Sequence, residues 1–95
     1  EQEDRITEVE CLRVMSMIAR KRGDLEQAQK HAREALSLAR ELQHSWITAK
    51  AAEELGFVYD AGNNRAAAST AFSNAARAYE RTGAAARAAA MRQLV

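Results

Sequence analysis

Apolar residues recur every three or four positions along almost the whole chain, and short breaks rich in glycine and asparagine divide them into five segments. Spacing of this kind is typical of amphipathic helices that bury one face. The breaks fall at 23, at 43–45, at 62–64 and at 82–83. The pattern therefore predicts five helices, at residues 5–22, 25–42, 46–61, 65–81 and 84–95.

Residues at the breaks support these boundaries. Gly23 stands where a left-handed residue commonly ends a helix. Asp24 follows as a good N-cap, and Gln27 three positions later completes the pattern of a capping box. Ser45 is the predicted N-cap of the third helix and Asn64 that of the fourth.

The chain is similar to itself at a shift of 39–40 residues, which places Gly23 on Gly62 and Met15 on Leu55. The shift also aligns small residues of the second helix with the fourth: Ala28, Ala32 and Ala35 with Ala68, Phe72 and Ala75. A fixed period indicates a repeat architecture, in which each hairpin buries its apolar stripe only by stacking on its neighbours.

The second copy carries Leu55-Gly56-x-x-Tyr59 and then Ala68-x-x-x-Phe72-x-x-Ala75. These residues resemble the tetratricopeptide repeat (TPR) family, whose template is W-x₂-L-G-x₂-Y…A-x₃-F…P. The sequence departs from that template twice, with Ala52 at the tryptophan position and Glu80 at the proline position. The first copy matches more weakly, through Leu12, Met15, Ser16 and Ala19 and then Ala28, Ala32 and Ala35.

The resemblance covers essentially the whole chain and implies an all-α fold of antiparallel helical hairpins stacked as a right-handed superhelix. It implies one TPR-like domain over 1–95, with repeats at about 5–43 and 45–82 and a capping or partial-repeat helix at 84–95. The period exceeds the usual value of roughly 34 residues. In this respect the chain looks like the extended repeats of kinesin light chains and many bacterial regulators.

Composition agrees with a helical chain, since 22 of the 95 residues are alanine and none is proline. The density of alanines after Ala61 predicts the tightest helix packing in the second half. With 14 basic against 13 acidic residues, the chain lacks the basic excess of a dedicated nucleic-acid domain, and we expect no direct nucleic-acid binding. The acids concentrate in 1–10 and the arginines in 65–95. This indicates either solvated helix faces, or attraction head-to-tail between molecules or to a neighbouring segment of a longer chain.

Nothing in the sequence points to catalysis, because the phosphate-binding, zinc-protease and hydrolase motifs are all missing. Cys11 is the only cysteine, and His31 and His44 have no acidic or cysteine partner at ligand spacing. We therefore expect a binding protein without metal or cofactor. No signal peptide or membrane segment is visible, so a cytoplasmic location is expected, and the start at Glu1 suggests an excised fragment.

The TPR resemblance implies a partner-binding groove lined by the first helix of each hairpin. Carried over position by position, the groove residues are Glu10, Arg13, Met17, Arg20 and Lys21 in the first copy and Lys50, Glu53, Phe57 and Asp60 in the second. Met17 and Phe57 occupy equivalent places, which suggests an apolar strip for a peptide or an amphipathic helix. The alternative is that both side chains are covered by the fold itself. The Lys and Asn pair of the carboxylate clamp in chaperone-binding TPRs is absent.

Two further features have alternative interpretations. The basic run 20–22 ends a helix. Its cations interact with the helix dipole there, or alternatively they contact an anionic partner. Trp46 packs in the hinge between the repeats, or it is exposed as an interface anchor.

The segment from Ala75 to Arg92 resembles the region that precedes the helix-turn-helix in large LuxR-type bacterial ATPase regulators. That likeness implies a regulatory or sensor fragment of a transcriptional regulator that binds a protein or peptide. A stand-alone scaffold that binds a partner, without any transcriptional role, is the alternative. A structural segment that packs on other repeats is a third interpretation. Self-association through uncapped repeat ends is a further expectation.

Overall fold

The computed structural model describes every residue from Glu1 to Val95. It contains five α-helices and no strand: α1 (Gln2–Lys21), α2 (Leu25–Glu41), α3 (Ser45–Ala61), α4 (Arg65–Arg81) and α5 (Ala85–Leu94). The predicted all-α class and the five helices are confirmed. The largest difference is at the first helix, which begins at Gln2 rather than at residue 5.

The helices pack as successive hairpins. α1 lies against α2, and α3 lies against α4. The hairpins join because α3 contacts both α2 and α1, while α5 packs mainly on α4. Every consecutive pair of helices is therefore in contact, as the stacked-hairpin prediction requires.

The four turns between helices share one geometry. Each places a residue in the left-handed region, namely Gly23 (φ 84°), Gln43 (φ 55°), Asn63 (φ 62°) and Gly83 (φ 81°). These positions lie 20 residues apart, so one repeat contains the turn within a hairpin and the turn that leads to the next hairpin. Gly23 therefore corresponds to Asn63, not to Gly62 as the sequence comparison suggested, and the structural repeat is 40 residues. Sequence alone could not decide between them because glycine and asparagine both tolerate this conformation.

The residue after each of the first three left-handed positions caps the next helix with its side chain, whereas Ala84 after Gly83 makes no such cap. Asp24 accepts a hydrogen bond from the Gln27 amide, and Asn64 accepts one from the Ala67 amide. The prediction of Ser45 as the cap of α3 is wrong, because Ser45 is already helical and His44 Nδ1 accepts from the Ile47 amide at 3.3 Å. His44 occupies the repeat position of Asp24 and Asn64. Its ring nitrogen supplies the acceptor that a carboxylate or amide oxygen supplies there.

Alanine dominates the core. Of the 21 buried apolar residues, 13 are alanine, so neighbouring helices approach closely. The closest approach is at Gly56 of α3, where an added Cβ would lie 2.5 Å from Cε1 of Phe72 on α4. Phe72 and Tyr79 are the largest fully buried side chains.

The expectation of tightest packing throughout the second half holds for α4 but is wrong for α5. In α5 only Ala88 and Met91 are buried, whereas Ala85, Ala86, Ala89 and Ala90 face solvent. The physical reason is that α5 has a neighbour on one side only. None of the five helices combines the length and the apolar character that crossing a bilayer requires.

Candidate functional site

Six of the nine predicted groove residues line a single cleft between α1 and α3, with a volume of about 390 Å³. We call it the α1–α3 cleft. α1 contributes Arg13, Met17 and Arg20, and α3 contributes Lys50, Glu53 and Phe57. Glu54 of α3 and Arg87 of α5 complete the lining.

Glu10 lies at the rim of this cleft and joins the two helices. Its carboxylate accepts hydrogen bonds from Arg13 Nη2 at 3.0 Å and Nε at 3.3 Å, and from Lys50 Nζ at 3.2 Å. Partial burial raises the pKa of Glu10, but the hydrogen bonds and charges of Arg13 and Lys50 outweigh it, so the net pKa is lowered. Two cations share one carboxylate here, which leaves an excess of positive charge at this end of the cleft.

An ion pair between a partly exposed arginine and a buried glutamate lies at the base of the cleft. Glu54 is only 4% exposed, and its carboxylate accepts from Arg20 Nε at 2.9 Å and Nη2 at 3.2 Å. The buried hydroxyl of Ser16 lies 3.2 Å from the same carboxylate and 2.8 Å from the carbonyl oxygen of Ala28. Arg20 therefore has a structural partner in α3, and the simpler interpretation of Arg20 as a dipole-facing helix-end cation is incomplete. The pair ties the first hairpin to the second.

The apolar part of the cleft is Met17 and the ring of Phe57, both half-buried. The ring of Phe57 packs edge-to-face on that of Phe72, with centroids 5.2 Å apart. The guanidinium of Arg20 lies 5.4 Å from the centroid of Phe57. The fold therefore covers one side of Phe57 and leaves the rest facing the cleft.

The far end of the cleft is built around Tyr79 of α4. Its hydroxyl donates to Glu53 Oε1 at 2.5 Å, and Trp46 packs edge-to-face on its ring at 5.4 Å. Arg87 stacks over both rings, at 5.3 Å from Trp46 and 5.7 Å from Tyr79. Burial, together with the Glu53 hydrogen bond and charge, raises the pKa of Tyr79 to about 12, although the Arg87 charge opposes this. Trp46 is half-buried and packs on α4 and α5, so the contacts seen here lie within the second hairpin and α5 rather than between the repeats.

The remaining predicted residues lie outside the cleft. Lys21 is exposed at the end of α1, and Asp60 pairs with Arg65 at 2.8 Å on the surface. No three His, Cys, Asp or Glu side chains come together as a metal-binding group. His44 serves as a helix cap, and His31 is half-buried rather than on the open surface, with an Nδ1 that has no hydrogen-bond partner.

Sequence reasoning missed Glu54 and Arg87. A signal existed for Glu54, since it lies three residues after Ala51 and four before Val58 on the buried stripe of α3. An acid on such a stripe requires a cation, and Arg20 supplies it. No local signal existed for Arg87, because its place at the cleft depends on how α5 docks on α4.

Comparison with protein-family models, with curated proteins and with solved structures finds no significant match for this chain.

Proposed function

We propose that the chain is a TPR-type interaction module that binds a peptide or helix of a partner protein in the α1–α3 cleft. The observation that carries the proposal is the convergence of Met17 and Phe57 with four cationic side chains in one open cleft. Apolar strips flanked by charge are typical of surfaces that hold amphipathic segments. No catalytic role is proposed.

The charged side chains of the cleft indicate which residues a bound segment would contain. The cationic side chains Arg13, Lys50, Arg20 and Arg87 line the cleft. Arg20 is matched by Glu54, Arg13 and Lys50 share Glu10, and Arg87 makes no ion pair. Glu53 also lines the cleft, so four cations face three carboxylates and the net charge is positive by one. A partner segment with an apolar side chain between acidic residues would complement both features.

A peptide selection tests this proposal. The whole chain is immobilised and short random peptides are selected, and their affinities are then measured for Met17→Ala. Leu94→Ala is the control, because Leu94 is also an exposed apolar side chain, at 36%, and lies outside the cleft. Selected peptides should carry acidic residues around an apolar one and lose affinity only with Met17→Ala. Peptides that bind both variants equally would exclude the cleft as the binding site.

The wider context we propose is a regulatory segment of a bacterial LuxR-type transcriptional regulator acting in the cytoplasm. It is supported by the alanine- and arginine-rich sequence from Ala75 to Arg92. The alternative is a stand-alone adaptor. A phosphate-binding loop encoded upstream and a helix-turn-helix encoded downstream would support the regulator, and their absence from the gene would support the adaptor.

Self-association is a second partner proposal and rests on a different surface. Val14, Met15 and Ile18 form an exposed apolar stripe on α1, on the side away from the core. The equivalent positions of α3 in the 40-residue register are Glu54, Leu55 and Val58, and the first hairpin covers them. Sedimentation at rising concentration should show association that Ile18→Glu abolishes. A strict monomer at every concentration would exclude it.

A further inference from the structure

A second cleft lies where the turn between α2 and α3 meets α4, and it shares no residue with the α1–α3 cleft. We call it the α2–α4 cleft. Its volume is about 290 Å³. Its polar lining comes from three helices and one turn: Arg40, Gln43, Ser45, Thr48, Arg77 and Arg81, with Asn74 beside them.

The charge of this cleft is of one sign. Arg40, Arg77 and Arg81 take part in none of the six ion pairs of the protein, and no carboxylate lines the cleft. Arg77 donates a hydrogen bond to the side-chain oxygen of Asn74, and this contact directs its guanidinium along α4. Three guanidinium groups that line one cleft without an acidic partner make its potential positive, which favours an anion there.

The repeat supplies an internal comparison. A shift of 40 residues moves Arg40, Gln43, Ser45, Thr48 and Ala52 onto Glu80, Gly83, Ala85, Ala88 and Arg92. Those five residues line a smaller cleft of about 210 Å³ at the turn between α4 and α5. The turn geometry thus produces a cleft in both places.

The two clefts differ in their chemistry. In the second one Glu80 and Arg92 form an ion pair, and alanines replace both hydroxyl residues. The cationic and hydroxyl lining of the α2–α4 cleft is therefore not imposed by the fold. It is a property of the side chains at this turn, to which α4 adds Arg77 and Arg81.

We propose that the α2–α4 cleft binds the phosphate group of a small phosphorylated ligand. Guanidinium groups match the geometry of phosphate oxygens and donate paired hydrogen bonds to them. Ser45 and Thr48 add hydroxyl donors from the first turn of α3, where the helix dipole also favours an anion. The volume suits a phosphate group together with a small organic part.

Titration with inorganic phosphate and with glycerol 1-phosphate tests the proposal, with chloride holding the ionic strength constant. The readout is the nuclear magnetic resonance spectrum of the whole chain labelled with nitrogen-15. Both probes should produce saturable shifts at the amides of Ser45 and Thr48 and at the side-chain amide of Asn74. Tighter binding of glycerol 1-phosphate assigns the site to phosphate esters, and tighter binding of inorganic phosphate assigns it to the free anion.

Matched arginine variants separate a built site from general attraction. Arg77→Gln and Arg81→Gln should each weaken binding about tenfold or more, since each removes charge-assisted hydrogen bonds. Arg22→Gln removes the same charge from an exposed helix end outside the cleft and should leave the affinity unchanged. Neither Arg77 nor Arg81 is buried or ion-paired, so the spectra of these variants should otherwise match that of the parent.

Three results would overturn the proposal. The first is a shift that never saturates, and the second is an equal loss of affinity in Arg22→Gln. The third is a single-stranded oligonucleotide that occupies the cleft and is not displaced by either phosphate probe. That result would assign the surface to nucleic acid instead.

Discussion

Replacement of Gly56 by alanine tests the closest contact between α3 and α4. The new Cβ would lie 2.5, 2.7 and 2.9 Å from three carbons of the Phe72 ring. Ordinary contacts between carbon atoms begin near 3.5 Å, so the ring or a helix has to move. Phe72 is 1% exposed and packs on Phe57, which leaves the ring no free space to move into.

The magnitude follows from two opposed effects. Overpacking a well-filled core costs about 1–3 kcal/mol. Alanine in place of a mid-helix glycine returns about 1 kcal/mol through helix propensity. Because the three contacts fall on a rigid, buried ring, we expect the cost near its upper end and a net destabilisation of about 1–2 kcal/mol. In a chain of this size each kcal/mol lowers the melting temperature by about 4–8 °C.

Gly62→Ala is the matched control. Gly62 has φ −88° and ψ 9°, and a Cβ there would meet its nearest neighbour, the Tyr59 carbonyl oxygen, at an ordinary 3.6 Å. This variant should gain about 0.4–1 kcal/mol, because alanine reduces the freedom of the unfolded chain. Urea unfolding followed by circular dichroism measures both variants. In a Phe72→Leu background, Gly56→Ala should no longer lower the free energy of unfolding. If Gly56→Ala in the parent protein instead gains as much stability as Gly62→Ala does, the close approach of Gly56 to Phe72 is refuted.

Three further predictions concern single side chains. Gln43→Gly should stabilise the protein by about 0.5–1 kcal/mol in urea unfolding, because φ 55° is costly for glutamine, and a loss of stability would contradict the left-handed turn. The lowered pKa of Glu10 means that its protonation favours the unfolded chain, so its stabilising contribution is present above its ordinary pKa of 4.5 and is lost as pH falls through the folded value. Glu10→Gln should therefore flatten the acid limb of a stability–pH curve, and an unchanged limb would count against the Arg13–Lys50 network. The raised pKa of Tyr79 has the opposite effect on the pH dependence of stability: its contribution is full below pH 10 and is lost as the pH rises towards about 12. In Tyr59→Phe, where Tyr79 is the only tyrosine, phenolate absorbance should appear only near this high pH.

The helices could be predicted from sequence because their signals are local. Apolar spacing and the residues at the turns placed most helix boundaries within a few residues. The register could not be predicted to the residue, because Gly62 and Asn63 both tolerate a left-handed turn and only the folded chain shows that Asn63 adopts it. The cap of α3 was misassigned because serine is the commoner cap, whereas the repeat position belongs to His44.

Of the candidate site, the sequence could predict which residues share one face of a helix, but not which helices meet. The positions carried over from the TPR resemblance include Arg13 with Met17 and Glu53 with Phe57, and those side chains do line one cleft. Contacts that depend on how helices dock were beyond local patterns. The hydrogen bond from Tyr79 to Glu53 and the position of Arg87 belong to this class, because each joins residues from different helices.

Because α5 packs on one side only, the charge of the α1–α3 cleft depends on whether α5 stays docked. α5 has no side-chain cap at its N-terminus and rests mainly on α4, so it is the helix with the least to lose by opening. Arg87 travels with it. Transient opening of α5 would withdraw one cation from the cleft and uncover the ring of Trp46, while the two hairpins joined by Arg20 and Glu54 stay closed. The amide hydrogen-exchange rate of α5 therefore reports how often Arg87 leaves the cleft. A partner that holds Arg87 in place would lower that rate.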